Sequence, residues 1–225
     1  MMRRIERENT GRMRPGQDLV AAGYAGLSGA AILAEAEHEK LTRWFSEEYL
    51  ADLQAAWQEC RDWEVCLDAG FPALKDQPVP VWLSRLGEQA AEAEAVGSGG
   101  ILKAIWDLTG AYETGVEFAL RRIPILQAVI EVCERLEANP YRLYSAGCYL
   151  LTAENGGRLA EQLRSQGVPA AVIGQIKSGI AREMIVQDGR GFLERPQPDE
   201  LTRILPDAAR ALAGEIWTGS PAEQE

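Results

Sequence analysis

The stretch AAEAEAVGSGGILKAIWDLTGAYETGVEFAL, Ala90–Leu120, decides the fold of this chain. Up to Val96, small apolar residues alternate with Glu, which suits a strand with one covered face, although Ala and Glu also favour helix. The glycine turn, Gly97–Gly100, interrupts regular structure, because glycine is unfavourable inside helices and strands. Apolar residues then recur at helical spacing from Ile101 to Leu108, and Val116–Leu120 suits a second strand. We therefore predict strand, glycine turn, helix and strand.

The segments on both sides continue this alternation. Before the stretch, we predict a buried strand at Gln17–Ala25, a helix from the N-cap Ser28 to about Trp44, and a second helix capped by Ser46. After it, we predict helices from Pro124, over Gly157–Gln166 and from Pro198–Asp199, strands at Cys148–Thr152, Ala170–Ile176 and Glu183–Val186, and a hairpin turn at Asp188–Gly191. The predicted fold class is α/β (α+β), a mixed β-sheet flanked by helices.

The composition excludes several classes of function. The chain has 225 residues, 46% of them hydrophobic, and no apolar run approaches the roughly 20 residues of a membrane-spanning helix. Its net charge of −11 opposes binding to nucleic acid or to an anionic membrane surface. A single His and four scattered Cys exclude a His-rich metal site and, beyond His38, argue against a Ser-His-Asp triad. We predict no metal ligands and assign no catalytic residues.

The cysteines indicate a reducing compartment. Cys133 and Cys148 lie in apolar helix and strand patterns, which favours buried free thiols and a cytoplasmic location. A disulfide between Cys60 and Cys66 is the alternative for the other two.

We predict one large domain with two extensions. Residues 1–15 carry five arginines and form a basic arm, residues 16–205 form the domain, and residues 206–225 form a terminal helix and polar tail. The arm is either a solvated extension or a segment that binds RNA or a partner.

Five segments resemble the C-terminal domain of the aminoimidazole ribonucleotide (AIR) synthase superfamily. They are Gly16–Ala34, Val96–Ile125, Ala138–Ala153, Gly167–Ile176 and Gly191–Leu205. This superfamily also includes the hydrogenase maturation factor that dehydrates a carbamoyl group, selenophosphate synthetase, thiamine-phosphate kinase and formylglycinamidine synthetase. The chain looks most similar to bacterial proteins described as AIR synthase-related or maturation-factor-like.

The resemblance implies half of a two-domain enzyme. In the superfamily, an N-terminal domain carries the acidic residues that hold magnesium and ATP, and we expect that domain to be lacking here. Cofactors are therefore predicted to be none, with ATP and magnesium only where a partner chain supplies the ATP domain. Maturation-factor relatives end in a reactive Cys, whereas this sequence ends in Glu225, so we do not expect carbamoyl transfer on this tail.

The resemblance also places a candidate ligand site at two turns. Its residues are Gly97, Ser98, Gly99, Gly100, Ser145 and Gly147. Glycines let backbone N–H groups approach an anion, and the following helix N-terminus adds about half a positive charge, so the first turn suits a phosphate. The superfamily usually has an acidic residue and a hydroxyl before the paired glycines, where this sequence has Ala95 and Gly97. A tight structural turn is the alternative at both places.

Three functions remain open from the sequence. The first is a stand-alone domain, non-catalytic or dependent on a partner, which binds a small molecule bearing a phosphate. The second is half of a split ATP-dependent ligase or dehydratase whose ATP domain is on another chain. The third is a structural scaffold whose ancestral cleft has closed. Because a missing domain exposes apolar surface, we expect a homo-oligomer or a complex with an ATP-domain protein.

Overall fold

The computed structural model describes residues 12–187 and 189–206. Their strands are β1 (Asp18–Ala22), β2 (Val65–Cys66), β3 (Val79–Pro80), β4 (Glu92–Gly97), β5 (Gly115–Ala119), β6 (Ser145–Ala153), β7 (Ala170–Lys177), β8 (Arg182–Val186) and β9 (Gly189–Phe192). The helices are α1 (Leu27–Ala36), α2 (His38–Leu41), α3 (Glu47–Arg61), α4 (Val81–Ser84), α5 (Gly100–Ala111), α6 (Gln127–Arg135), α7 (Gly156–Ser165) and α8 (Glu200–Ile204).

Seven of the strands form one mixed sheet. Their order is β4-β6-β1-β7-β5-β8-β9, and β2 pairs separately with β3. Strands β5 and β8 run parallel, whereas each other neighbouring pair in the sheet is antiparallel. The first strand, β1, lies inside the sheet, with Val20 opposite Leu151 of β6 and Val172 of β7. The predicted fold class, a mixed sheet flanked by helices, is confirmed.

Three apolar clusters hold helices against this sheet. On one face, Val20 and Leu151 pack with Leu159 and Leu163 of α7. On the other face, β1 and β5 contribute Leu19 and Phe118 to a cluster with α5. The third cluster joins α1, α3 and α6 near the start of β6. Because successive side chains of a strand point to opposite faces, β1 contributes to two clusters at once.

The first predicted helix begins and ends differently in the structure. Gly26, in the left-handed conformation with φ of 72°, is the N-cap of α1, so the predicted Ser28 cap is wrong. Ser28 is instead fully buried within the helix, and its hydroxyl donates a hydrogen bond to the carbonyl oxygen of Tyr144 at 3.1 Å. The predicted single helix also breaks at Glu37, where α1 ends and α2 begins.

Other boundaries are confirmed or shifted. The Ser46 hydroxyl caps α3 by accepting a hydrogen bond from the Tyr49 N–H at 3.2 Å, as predicted. Helix α6 begins at Gln127 rather than at Pro124. In the hairpin, Val186 pairs with Gly189, so the glycines predicted as a turn belong to strand β9. Asp188 lies outside the described residues.

The beginning of the described chain packs on the domain. Met13 is only 7% exposed and belongs to the cluster under α5, and Arg14 forms an ion pair with Glu154 at 3.0 Å. The rest of the predicted arm, residues 1–11, and residues 207–225 of the predicted tail lie outside the described residues. All four cysteines are free, and Cys133 and Cys148 are buried as predicted.

A side chain at Gly174 should destabilise the sheet. A Cβ there would lie 2.2 Å from the carbonyl oxygen of Glu117 and 2.7 Å from the Cα of Phe118, and backbone atoms in a central strand cannot yield easily. We expect Gly174→Ala to lower the free energy of unfolding by about 1–3 kcal/mol in urea denaturation. Gly191→Ala is the matched control, because no atom lies within 4 Å of its Cβ, and its change should stay within about 0.5 kcal/mol. Equal effects of the two variants would contradict this account.

Candidate functional site

The glycine turn joins β4 to α5 through left-handed backbone. The φ angles of Gly97, Gly99 and Gly100 are 53°, 84° and 67°, a region that residues with a Cβ adopt only at a cost. A Cβ at Gly100 would lie 2.5 Å from the carbonyl oxygen of Tyr141. The turn therefore needs glycine at Gly100 for two reasons, its backbone conformation and its close contact with the residues before β6.

The structure brings two of the predicted site segments together. Gly97 at the end of β4 pairs with Ser145 at the start of β6. The buried Ser145 hydroxyl accepts a hydrogen bond from the Gly26 N–H at 2.7 Å and donates one to the carbonyl oxygen of Leu143 at 2.7 Å. Ser145 therefore ties the segment before β6 to the start of α1.

Gly147 lies against helix α3. A Cβ at this position would lie 3.5 Å from the ring of Trp57 and 3.9 Å from the Cβ of Cys60, both on α3. The carbonyl oxygen of Gly147 also closely approaches Gly23, where a Cβ would lie only 2.3 Å from it. The close approach of β6 therefore requires glycine at Gly23, whereas a Cβ at Gly147 would make only ordinary contacts with α3.

A carboxylate that the sequence analysis did not assign to the site lies on the glycine turn. Asp199, only 6% exposed, accepts a hydrogen bond on Oδ2 from the Gly99 N–H at 2.5 Å. Its Oδ1 accepts hydrogen bonds from the N–H groups of Tyr144 at 3.1 Å and Leu201 at 2.8 Å. Three backbone donors from separate parts of the chain therefore converge on one negatively charged group, which also lies at the positive end of α5.

The surroundings of this carboxylate are partly buried and carry charge. Burial, and then the negative charge of Asp199, raise the pKa of the Tyr144 phenol to about 12, so this hydroxyl stays protonated at neutral pH. The aliphatic part of Lys103 covers Gly99, whose added Cβ would lie 2.3 Å from the lysine Cδ. The Lys103 Nζ lies 2.5 Å from a carboxylate oxygen of Asp107. Lys103 places a cation beside the turn.

The sequence analysis missed Asp199 and Lys103 as site residues for different reasons. Asp199 was predicted only as the start of a helix, and its contact with Gly99 spans 100 residues of sequence. A local pattern carries no signal for such a contact. Lys103 lies within the first turn of α5, so the combination of glycine turn, helix and early lysine could have indicated it.

The described residues show neither a cluster of metal ligands nor a membrane-spanning helix. Within residues 12–187 and 189–206, no three His, Cys, Asp or Glu residues lie close enough together to hold a metal ion. The ring of His38 lies 2.8 Å from Glu47 on an exposed surface. Among the described helices, none has both the length and the apolar character needed to cross a membrane.

Solved structures with a similar fold come from two kinds of protein. The hydrogenase maturation protein HypE of E. coli matches with a TM-score of 0.58 and 20% identity over 85% of this chain and 53% of that one. HypE in a HypE–HypF complex matches with a TM-score of 0.58 and 16% identity, over 83% of this chain and 55% of that one. Thiamine-monophosphate kinase of Stenotrophomonas maltophilia matches with a TM-score of 0.55 and 20% identity, over 77% of this chain and 51% of that one.

These likenesses show the fold. Both kinds of protein are members of the superfamily whose fold the sequence predicts, and the chain spans about half the length of these three matched chains. No protein-family model matches the chain, and no curated protein matches it in sequence.

Gly100 should tolerate a side chain less well than Gly97. Both residues have positive φ, so an added Cβ costs about 1–2 kcal/mol at either position. At Gly97 no atom lies within 4 Å of the Cβ, whereas at Gly100 the Cβ would overlap the Tyr141 carbonyl oxygen. We expect Gly100→Ala to lower the free energy of unfolding by about 1–3 kcal/mol more than Gly97→Ala. Urea denaturation of both variants measures the difference, and equal losses would mean that the contact with Tyr141 is unimportant.

Cys66 should be the thiol that reacts first in the native protein. Burial raises the pKa of Cys60 to about 11 and those of Cys133 and Cys148 to about 12, which keeps these three thiols protonated at pH values near 8. Titration with a thiol-specific disulfide reagent should show one fast phase, which Cys66→Ser abolishes and Cys60→Ser leaves intact. A fast phase that survives Cys66→Ser would contradict this order.

Proposed function

We propose that this chain is a stand-alone module with the fold of the AIR synthase C-terminal domain, which binds the phosphate group of a small molecule at the glycine turn. The observation that carries the proposal is the carboxylate of Asp199 on the Gly99 N–H. A phosphate oxygen needs the same kind of partner as a carboxylate oxygen, namely backbone N–H groups at the positive end of a helix. Lys103, beside the turn, supplies a cation for the remaining phosphate charge when its Nζ leaves Asp107, with which it is paired at 2.5 Å.

The groups at the turn favour binding without catalysis by this chain alone. Gly99 and Tyr144 contribute backbone N–H groups, which donate hydrogen bonds but do not transfer protons at neutral pH. The Tyr144 phenol has a raised pKa, so it is poorly suited to act as a base. This supports a role in which the chain holds a ligand and a partner supplies any chemistry.

A split enzyme is the second candidate function. The chain spans about half the length of HypE and of thiamine-monophosphate kinase, and one HypE structure contains a complex with HypF. The shared fold supports, as the alternative, half of a split ATP-dependent ligase or dehydratase whose ATP domain is on another chain. A neighbouring reading frame that encodes such a domain, and ATP hydrolysis only after the two proteins are mixed, would favour this candidate. Native mass spectrometry that shows a homo-oligomer with a retained phosphate compound would favour the module.

Pyrophosphate is the simplest probe for the proposed site. At millimolar concentrations it should raise the melting temperature, because a ligand that binds only the native state stabilises it. Ser98 is exposed in the turn, so Ser98→Asp places a negative charge there and should weaken pyrophosphate binding by about tenfold. Ser178→Asp, an equally exposed serine between β7 and β8, is the control for net charge and should leave binding unchanged.

Two results would count against the proposal. If Ser98→Asp binds pyrophosphate as tightly as the wild type, the ligand binds elsewhere. If pyrophosphate, inorganic phosphate and ATP bind neither the wild type nor the Asp199 variant described below, the module does not bind phosphate groups at all.

A further inference from the structure

The segment after β9 returns across the molecule to the glycine turn. We call residues Leu193–Ile204 the C-terminal strap. Leu193 is buried in the cluster under α5, and Leu201 is buried in the cluster of α1, α3 and α6. Between these two anchors, residues 194–198 are exposed and form no regular structure, and Asp199 is the next residue. The strap therefore contacts the glycine turn through one buried carboxylate.

The two oxygens of Asp199 have separate tasks. Oδ1 accepts a hydrogen bond from the Leu201 N–H, which makes Asp199 the N-cap of α8. It accepts a second hydrogen bond from the Tyr144 N–H. Oδ2 accepts its hydrogen bond from Gly99 of the glycine turn. The cap on α8 needs only Oδ1, so local helix formation does not explain why Oδ2 lies on the turn.

We propose that the strap is an autoinhibitory contact, in which the Asp199 carboxylate occupies the anion position of the glycine turn. The inference rests on the proposed function, since it concerns the same turn. A phosphate group reaches the Gly99 N–H only when Oδ2 leaves it, because two anionic oxygens at hydrogen-bond distance from one N–H would repel each other. Binding of phosphate and docking of the strap are then mutually exclusive.

The remaining contacts of the strap are compatible with its release. The ion pair between Glu194 and Arg142 spans 3.4 Å and is largely exposed, and such pairs contribute little to stability. Arg203 donates a hydrogen bond to the carbonyl oxygen of Glu137 at 2.7 Å, also at the surface. Helix α8 has only five residues. Asp199 and Leu201 are therefore the strap's main buried anchors near the turn.

This competition predicts a weakened affinity in the wild type. When the competent state is a minor fraction of the molecules, the apparent dissociation constant rises by the inverse of that fraction. Any change that removes Oδ2 from Gly99 while leaving the turn intact should tighten the binding of phosphate groups.

Asp199→Asn makes that change selectively. The amide oxygen of Asn still accepts hydrogen bonds from Tyr144 and Leu201, and Asn is a good N-cap, so α8 is retained. The amide nitrogen, however, meets the Gly99 N–H as a second donor and cannot replace Oδ2. By isothermal titration calorimetry with pyrophosphate, we expect this variant to bind at least about tenfold more tightly than the wild type, the factor for a competent fraction of about a tenth.

Two further variants separate competition from other effects. Glu194→Gln removes the same charge from the same strap but leaves Gly99 untouched, so its affinity should equal that of the wild type. Leu201→Ala loosens a buried anchor without altering any group at the turn, so it should also tighten binding. It serves as the second test where Asp199→Asn fails to fold, which circular dichroism reveals.

Hydrogen exchange gives a readout that does not depend on affinity. With saturating pyrophosphate, the Leu201 N–H should exchange faster as the strap leaves, whereas the Gly99 N–H should stay protected by the ligand. Protection of both amides, or equal pyrophosphate affinity in the wild type, Asp199→Asn and Leu201→Ala, would overturn the autoinhibitory contact while leaving the proposed function intact. Absence of pyrophosphate binding in every folded variant would overturn both.

Discussion

The close contact between the glycine turn and the residues before β6 is the constraint on which the rest of the structure depends. Gly100 lies so near Tyr141 that a single Cβ would overlap its carbonyl oxygen, and Gly97 pairs with Ser145 just beyond. These contacts fix the start of α5 relative to β6. Ser145 links the same contact to the start of α1, because its hydroxyl accepts a hydrogen bond from the Gly26 N–H. This one turn thus positions the edge strand β4, the helix α5 on one sheet face and the start of α1.

The same contact gives the site its donors. Gly99 and Tyr144 belong to the two segments that meet here, and their N–H groups point to the same carboxylate. An unpaired buried N–H group is unfavourable by about 1–3 kcal/mol, so a turn of this shape requires an acceptor. Asp199 supplies that acceptor within the chain. An external anion therefore binds at this site only if its interaction with these N–H groups is more favourable than that of Asp199.

Local sequence signals predicted the parts of the fold that depend on local contacts. Ser46 and Asp199 cap helices where their positions predicted, because a cap involves only neighbouring residues. Ser28 misled the prediction, since its hydroxyl bonds to Tyr144, 116 residues away, and Gly26 begins the helix instead. The position of β1 between β6 and β7, and the contact of Asp199 with the turn, likewise depend on residues that are distant in sequence. The turn itself could be predicted from its glycines, whereas its occupant could not.

Ser145, which the sequence predicts as a ligand contact, has a structural role. Its hydroxyl donates to Leu143 and accepts from Gly26, both backbone groups. A ligand that took this hydroxyl would leave one of those groups unsatisfied and would loosen the start of α1. Gly99 is different, because its N–H group donates to Asp199, which lies outside the strands of the sheet. The ligand-binding part of the proposed site is therefore the glycine turn, with Ser145 as its support.

The strap bears on both candidate functions in the same way. A module that works alone must release Asp199 before it takes up a phosphate group. A chain that works with an ATP domain must do so when the partner docks, since the phosphate would approach the same N–H. In the second case, docking energy can offset the loss of the Asp199 contact, so the partner would select the open state. In both cases the turn stays closed by its own chain until Asp199 leaves the Gly99 N–H.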